Sequence, residues 1–564
     1  MSRIHSLHIE NFRGIKSLDQ IFQMKSFICL IGRGDSGKTS ILKAISYVLS
    51  PNWNLSISDL DFYNADITQN IVIEVVVGDL PTELITLQKY GQYINLLDED
   101  KVISDIEDPN ADQEKMALRV RLTIDSTLEP KWEVCSGRDI GNISISASDR
   151  AKLNIFMVSD YVDNHFAYSK GSPLYSLLRH GLTDKALTDK KIVEVVRRSY
   201  DAIKEAKTFD EFEEITAKVK DSAQKIGLTI TNLKTMLEFK ENAYTESNIT
   251  LHSDDIPYRL HGKGSKRLLS IAIQKSLIGE GGIMLVDEIE QGLESDRARN
   301  LARLLSKNEY GQIFITTHSK DVIVEPDISS VYLMRKGESK LFNLPKDIQG
   351  SLRAQPAAFF AKRVISCEGA TEEGIIRAIS DHLQENRGYG LAVQGIVHID
   401  GGGSNKFYKI AQIFKSIGYD CLVFCDDDNR TVDKDKEEAL RNGVEIVLCD
   451  NGKAIEQQIF NDLPWQGVCE LLDYAIEEHG EEKIIVSNGW ESIDKIKASS
   501  KDIQMKLREE LGNKAKSKQA WYKCIHHGEQ LGKIIIKYMS QMAENCTIKK
   551  EYEQIINWIG NDIN

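Results

Sequence analysis

An apolar run, Ser26 to Ile31, feeds directly into Gly32-Arg33-Gly34-Asp35-Ser36-Gly37-Lys38-Thr39, and helical spacing takes over from Thr39 to Leu49. That order limits the fold more than any other feature of the chain. A G-x-x-x-x-G-K-T segment between a strand and a helix aims backbone N–H groups and a helix N-terminus at one phosphate-sized space. Gly32, Arg33, Gly34, Asp35, Ser36 and Gly37 would close around the phosphates. Lys38 would bring a cation to the terminal phosphates and Thr39 a hydroxyl to magnesium. The helix is apolar at Ile41, Leu42, Ile45, Val48 and Leu49 and stops at Pro51. An α/β fold follows, with its functional groups beyond the carboxyl ends of parallel strands.

Two later runs complete a nucleotide set. Ile283-Met284-Leu285-Val286 ends in Asp287-Glu288. Asp287 is expected to hold a metal through water, and Glu288 to orient or deprotonate the attacking water. Ile313-Phe314-Ile315-Thr316-Thr317 ends at His318, placed to reach a terminal phosphate. Further strands are expected near Ile4 to Ile9 and over 71–77, 118–124, 132–135 and 153–158. The acidic stretch Asp98 to Glu114 reads as a surface loop. From Pro173 to about Lys240, Leu, Ile and Val recur at three- and four-residue intervals, so residues 165–250 read as a helical insertion and possible dimer surface.

A second α/β region starts near Phe359. It alternates strand, helix (Glu372 to Gln384), strand (Ile396 to Ile399), the turn Gly401-Gly402-Gly403, helix (Phe407 to Ile417) and strand (Leu422 to Cys425). Glu368 and Glu372 follow the first strand, Asp426 and Asp428 the third. Four carboxylates at one sheet edge repel one another unless a hard cation neutralises them, and magnesium takes oxygen ligands. A boundary between Pro345 and Pro356 divides the chain into domains 1–350 and 356–564, the second ending in helices rich in Lys and Glu.

At 564 residues the chain is too long for one hydrophobic core. No apolar run approaches membrane-spanning length, and the N-terminus lacks the apolar core of a signal peptide. Nine cysteines without a CxxC pair point to a reducing cytoplasm, with Cys421 and Cys425 as small core residues. A net charge of −14 argues against a surface coated with nucleic acid but allows a local basic channel. Between Lys495 and Lys523 eight Lys and one Arg face three acids. With Arg363 and Arg430, that stretch is expected to grip a phosphate backbone with little sequence readout.

Asn11-Phe12-Arg13-Gly14, the loop at 32–39, Asp287-Glu288 and Thr317-His318-Ser319 together resemble the ABC-type ATPases of the SMC and recombination-repair group. The resemblance implies a signature loop ahead of the Asp287 strand. Gly262-Lys263-Gly264-Ser265-Lys266-Arg267 stands there, before a helix from Leu268 to Leu277, and departs from the usual Ser-Gly-Gly-Gln. It is similar to the variant in OLD (overcoming lysogenization defect) nucleases. Gly264 and Ser265 would face the nucleotide of another subunit, which implies a homodimer or larger homo-oligomer.

Residues 363–428 resemble a Toprim domain, a Rossmann-like parallel sheet. Glu368 would be a metal ligand or base, Glu372 a second ligand, and Asp426 with Asp428 the metal-binding pair. Glu368-Gly369-Ala370-Thr371-Glu372 resembles the OLD arrangement, in which an extra acid supports a two-metal site, and Glu456 is offered downstream as a further metal ligand. Trp521-Tyr522-Lys523 resembles the family's aromatic-aromatic-Lys element, with Lys523 placed to stabilise the pentacovalent phosphate. The resemblance covers nearly the full length. It implies ATP and Mg2+ (or Mn2+) as cofactors, ions on the order of 4 Å apart at the scissile phosphate, and DNA as substrate. It also implies a role in bacterial defence against phage, with a possible partner protein or RNA. A topoisomerase would need a framed tyrosine nucleophile, and a primase often a zinc module. The alternative is an ATP-switched DNA clamp with a non-catalytic Toprim domain.

Overall fold

The computed structural model describes residues 2–86, 88–98, 101–103, 115–138, 140–159, 162–167, 172–180, 210–237, 249–278, 281–402, 406–427, 430–450, 452–516 and 521–560. The chain divides into two compact units, Met1–Pro356 and Ala357–Asn564.

The first unit begins with strands β1 (Arg3–Phe12), β2 (Ile15–Ile21) and β3 (Phe27–Ile31), then helix α1 (Lys38–Val48). Strands β4 (Ile71–Gly78), β5 (Asn95–Asp98), β6 (Lys101–Ile103), β7 (Met116–Ile124), β8 (Pro130–Cys135), β9 (Asn142–Ser144) and β10 (Ile155–Val158) follow. Next come α2 (Pro173–His180), α3 (Asp210–Lys225), β11 (Leu233–Leu237), β12 (Ile249–Ser253), β13 (Ile256–Pro257) and α4 (Lys263–Ile278). Then β14 (Ile283–Val286), α5 (Ser295–Ser306), β15 (Gln312–Thr316), β16 (Val331–Leu333) and β17 (Phe342–Asn343) complete it.

Two sheets sandwich α1. One is antiparallel, in the order β2-β1-β4-β7-β5-β6 with β8 on β7 and β9 on β8. The other runs β10-β14-β15-β3-β16-β17 and is parallel from β10 to β16. Ile41, Leu42, Ala44, Ile45 and Val48 of α1 enter one core with residues of both sheets. Every residue of β3, β14 and β15 is buried, as strands covered on both faces require. Because β3, β15 and β14 are neighbours, their carboxyl ends bring together the loop at 32–39, the segment at 316–318 and Asp287-Glu288.

Two expectations need correction. The acidic stretch is not wholly a loop, since β5 and β6 pair in a hairpin there; residues 104–114 lie outside the described residues. The insertion is not wholly helical either. Helices α2 and α3 occur, but Leu233–Leu237 is a strand paired with β12, because buried Leu233 and Thr235 flank outward Lys234 with a period of two. Residues 181–209 and 238–248 lie outside the described residues.

The second unit carries a four-stranded parallel sheet, β19-β18-β20-β21, from β18 (Arg363–Cys367), β19 (Ile396–Asp400), β20 (Asp420–Cys425) and β21 (Glu445–Leu448). Helices α6 (Ala370–Arg387) and α7 (Phe407–Ser416) lie between its strands in sequence. Helices α8 (Ile455–Asp462), α9 (Trp465–His479), α10 (Lys501–Lys516), α11 (Ile525–Tyr538) and α12 (Thr547–Gly560) follow it. Ile365, Cys367 and Phe424 share a core with residues of α6 and of α8 to α12. On the other face Ser366 Oγ donates to the Phe407 carbonyl at 3.0 Å, and Tyr408 lies against Cys425. Cys421 and Cys425 are buried core residues. Among the described residues no helix is long and apolar enough to cross a membrane.

Candidate functional sites

At the end of β3 the glycine loop wraps its own lysine. Lys38 Nζ donates to the carbonyls of Gly32 (2.9 Å) and Arg33 (2.8 Å) and to Ser36 Oγ (3.2 Å). Burial drives the Lys38 amine down to about 8, against the pull of Asp287, Glu288 and Glu290. Those oxygens are weaker partners than a phosphate anion would be. Thr39 Oγ1 donates to Asp287 Oδ1 at 3.0 Å, so the loop and the β14 terminus meet as a magnesium site requires. Arg13, in the turn between β1 and β2, pairs with Asp61 at 2.8 Å. Beside the loop lies a cleft of about 490 Å³ whose lining includes Asn11, Ile15, Lys16, Ser36, Tyr63 and Met334, a size that suits a nucleoside.

Glu288 has a φ of 46°, the left-handed region, which costs a non-glycine residue about 1 kcal/mol. Its N–H donates to Thr316 Oγ1 (2.7 Å), and that hydroxyl donates to Asp287 Oδ1 (2.7 Å). Glu290 accepts from Thr317 Oγ1 (2.8 Å) and from the His318 N–H (2.6 Å), which fixes the His318 backbone. Burial, then the Lys38 charge, holds the His318 imidazole below its ordinary value, so it is neutral near pH 7. Thr316, Glu290 and Arg267 were missed at the level of sequence. Their only signal was adjacency to the motifs, at the end of one strand, beside another and inside the signature segment. Helix α4 starts at Lys263, ahead of the expected Leu268, so Gly264 and Ser265 lie in its first turn.

The carboxylates of the second unit gather at the ends of β18 and β20 and the start of α8. Glu368 Oε2 accepts the Asp426 N–H at 3.0 Å, and Asp426 Oδ1 accepts the Ile455 N–H at 2.6 Å. Glu372 caps its own helix by accepting the Gly369 N–H at 3.0 Å. Lys523 Nζ lies 2.7 Å from Glu456 Oε1, with Glu456 sealed from solvent and Lys523 half-exposed. Burial first, then Glu372, Glu456 and Glu368, pushes the Asp426 carboxyl up to about 9. Burial, Glu456 and Glu368 likewise raise Glu372 to about 7. Burial works against the Lys523 charge, but Glu456, Asp426 and Glu372 outweigh it and hold the amine above its ordinary value.

Four acids with one lysine thus form an electrostatic unit short of positive charge. Glu456 Oε2 is buried with no hydrogen-bond partner among the described residues, and oxygen donors of this kind suit Mg2+ or Mn2+. No three His, Cys, Asp or Glu side chains among the described residues stand at ion-holding distance from one another. Asp428 and Gly403 lie outside the described residues.

The Trp521-Tyr522-Lys523 segment is tied down residue by residue. Trp521 and Tyr522 are buried, and His479 of α9 lies 3.1 Å from the Trp521 carbonyl. Thr371 Oγ1 of α6 donates to the Tyr522 carbonyl at 2.9 Å, while the Tyr522 hydroxyl donates to the Leu471 carbonyl at 2.8 Å. Two expected backbone-gripping residues need correction. Arg363 is buried, donates to the Trp558 and Ile559 carbonyls at the end of α12, and packs over the Trp558 ring. Arg508 closes the end of α8 by donating to the Phe460 (2.7 Å) and Leu463 (2.6 Å) carbonyls. Buried carbonyls at helix ends need donors, and arginine reaches them. Lys495 pairs with Glu491 and Lys497 with Asp473, whereas Lys501 and Lys506 are exposed on α10. The Arg430 side chain lies outside the described residues.

Residues 3–323 match the AAA ATPase domain family, and residues 359–428 match the family described as overcoming lysogenization defect protein-like, TOPRIM domain. No curated protein matches the chain. Among solved structures, the Smc head domain of Pyrococcus furiosus bound to the C-terminal domain of ScpA is 15% identical, over 62% of this chain and 98% of its own, with a TM-score of 0.37. The recombination mediator protein RecF-ATPrS is 14% identical over 61% and 98%, with a TM-score of 0.35. The SMC head domain of Thermotoga maritima is 14% identical over 61% and 99%, with a TM-score of 0.29.

Proposed function

Since the chain belongs to the AAA ATPase domain family and carries an OLD-like Toprim domain behind it, we propose that it is a nucleotide-regulated, Mg2+-dependent DNA endonuclease. The observation that carries this reading is the gathering of Glu368, Glu372, Asp426 and Glu456 under a single lysine, with a buried carboxylate oxygen left unpartnered among the described residues. These residues, with Asp428, would hold Mg2+ or Mn2+. Bound divalent ions supply Lewis-acid polarisation of a phosphate and a more acidic water.

The chain's own residues do the rest. Lys523 stabilises charge building on the scissile phosphate, and the hydrogen bond from Thr371 to the carbonyl of its neighbour Tyr522 keeps the segment in register with Glu372. Exposed Lys501 and Lys506 hold the DNA backbone by charge alone. In the ATPase unit the loop N–H groups and Lys38 would bind the phosphates, Asp287 and Thr39 would hold magnesium, and Glu288 would orient water, with His318 near the terminal phosphate. Gly264 and Ser265 would meet the nucleotide of a second copy, making the working form a homodimer or larger. Cytoplasmic anti-phage defence, with a trigger protein or RNA, is the setting this reading fits.

Incubating the protein with supercoiled plasmid and Mg2+, with and without ATP, tests it. Nicked or linear product that disappears in Glu368→Ala and Asp426→Ala supports the nuclease. Plasmid bound but left intact identifies an ATP-switched clamp instead, and relaxed closed circles a topoisomerase.

A further inference from the structure

The turn after β14 is held from two directions. On one side Thr316 Oγ1 takes the Glu288 N–H. On the other, the guanidinium of Arg267, 3% exposed within α4, donates to the carbonyls of Asp287 and Glu288 (2.8 Å for Glu288) and to Gln291 Oε1 (2.9 Å). The peptide units flanking Glu288 are therefore fixed at both ends while its φ stays at 46°. The first turn of α4 touches the same turn again. A Cβ on Gly264 would stand 2.4 Å from the Gly292 carbonyl oxygen, an approach only glycine permits.

We infer that Arg267 is a positioning residue for ATP hydrolysis: it makes the backbone of Glu288 follow the signature helix, so that engaging the signature sets the hydrolytic carboxylate. The inference deepens the ATPase reading and rests on it. Three acceptors on two successive residues and a nearby side chain need a planar fork of donors, which arginine has and lysine lacks. Helix α4 cannot shift without dragging the Glu288 carbonyl or breaking charge-assisted hydrogen bonds in a buried place. Thr316 is the fixed end against which that pull acts, since its hydroxyl also holds Asp287. Phosphate contact remains the work of the loop at 32–39, so Arg267 governs turnover rather than affinity.

The test is steady-state ATP hydrolysis by the full-length protein, with binding of a fluorescent ATP analogue measured in parallel. Arg267→Gln lowers kcat by about 30-fold or more while analogue affinity stays within about threefold, and Arg267→Lys restores part of the loss. Thr316→Val gives the same split and Thr316→Ser recovers it. In a Glu288→Gln background, Arg267→Gln costs less than about threefold further, because both changes act through one carboxylate. Hydrolysis that survives Arg267→Gln overturns the inference. So does a parallel loss of turnover, analogue affinity and melting temperature, which marks a purely structural arginine. If the unmodified protein binds the analogue but does not hydrolyse ATP, the ATPase reading itself fails; hydrolysis that simply ignores Arg267 leaves that reading standing.

Discussion

The Lys523–Glu456 pair is lopsided. The carboxylate is sealed and the amine half in water, so removing the lysine strands a buried charge, whereas removing the acid frees a solvated one. Lys523→Met should cost roughly 1–2 kcal/mol, discounted for the lysine's exposure, and added Mg2+ should recover it in thermal melts. A loss that Mg2+ does not restore would separate Glu456 from the metal site. The acids around the pair set a pH dependence whose sign is fixed. Asp426 near 9 and Glu372 near 7 lie above their ordinary values of 3.8 and 4.5. The folded chain thus keeps protons that the unfolded chain has released. Their contribution to stability is complete below about pH 4 and is lost as pH climbs through about 7 to 9. Metal-free protein should melt progressively lower from about pH 5 to pH 9, and Mg2+ should flatten that slope by replacing protons. Melting temperatures that rise over the range would contradict the cluster's electrostatics. Glu368, Glu372 and Asp426 were legible as residues because each ends an apolar run or sits one turn beyond it. The raised proton affinities of Glu372 and Asp426 were not, since these depend on Glu456 and on burial.

Helix crossings decide where Lys523 stands. Helices α6 and α11 meet so closely that a Cβ on Gly528 would lie 2.3 Å from the Thr371 carbonyl oxygen, and one on Gly374 would lie 2.2 Å from that of Ile525. Gly528 begins a Gly-x-x-x-Gly step with Gly532, a spacing that was available in the sequence as a sign of close packing. Gly528→Ala forces the helices apart and should cost about 1–3 kcal/mol of stability. It should also lower plasmid cleavage more than DNA binding, because α11 follows Lys523 directly; a variant that cleaves normally would show that the crossing does not position it. Strand placement was readable element by element, since β3 and β14 are unbroken apolar runs and β15, β18 and β20 are mostly apolar ones. Leu233–Leu237 escaped because its period-two pattern is short and its partner strand begins 12 residues further on, at Ile249.

At the scale of the whole molecule, the two chemistries proposed for this chain predict nucleotide control of cleavage. Lys38→Ala removes phosphate binding, while Glu288→Gln holds ATP without hydrolysing it, so the two should shift plasmid cleavage in opposite directions by about tenfold or more. Equal effects would uncouple the ATPase from the nuclease. What the residues alone determined is local: a phosphate loop between strand and helix, acids at the carboxyl ends of parallel strands, and the order of the two chemistries along the chain. Each depends on neighbours within a few positions, where strand and helix periods constrain the backbone directly. Only the tertiary structure decided that Arg363 ties down α12, that Arg267 reaches the Glu288 carbonyl, and that Glu456 lies under Lys523. Those partners stand between 21 and 196 positions apart, and no periodicity carries across such a gap. A buried charge is assigned its role by whichever donor or acceptor the packed core leaves within reach.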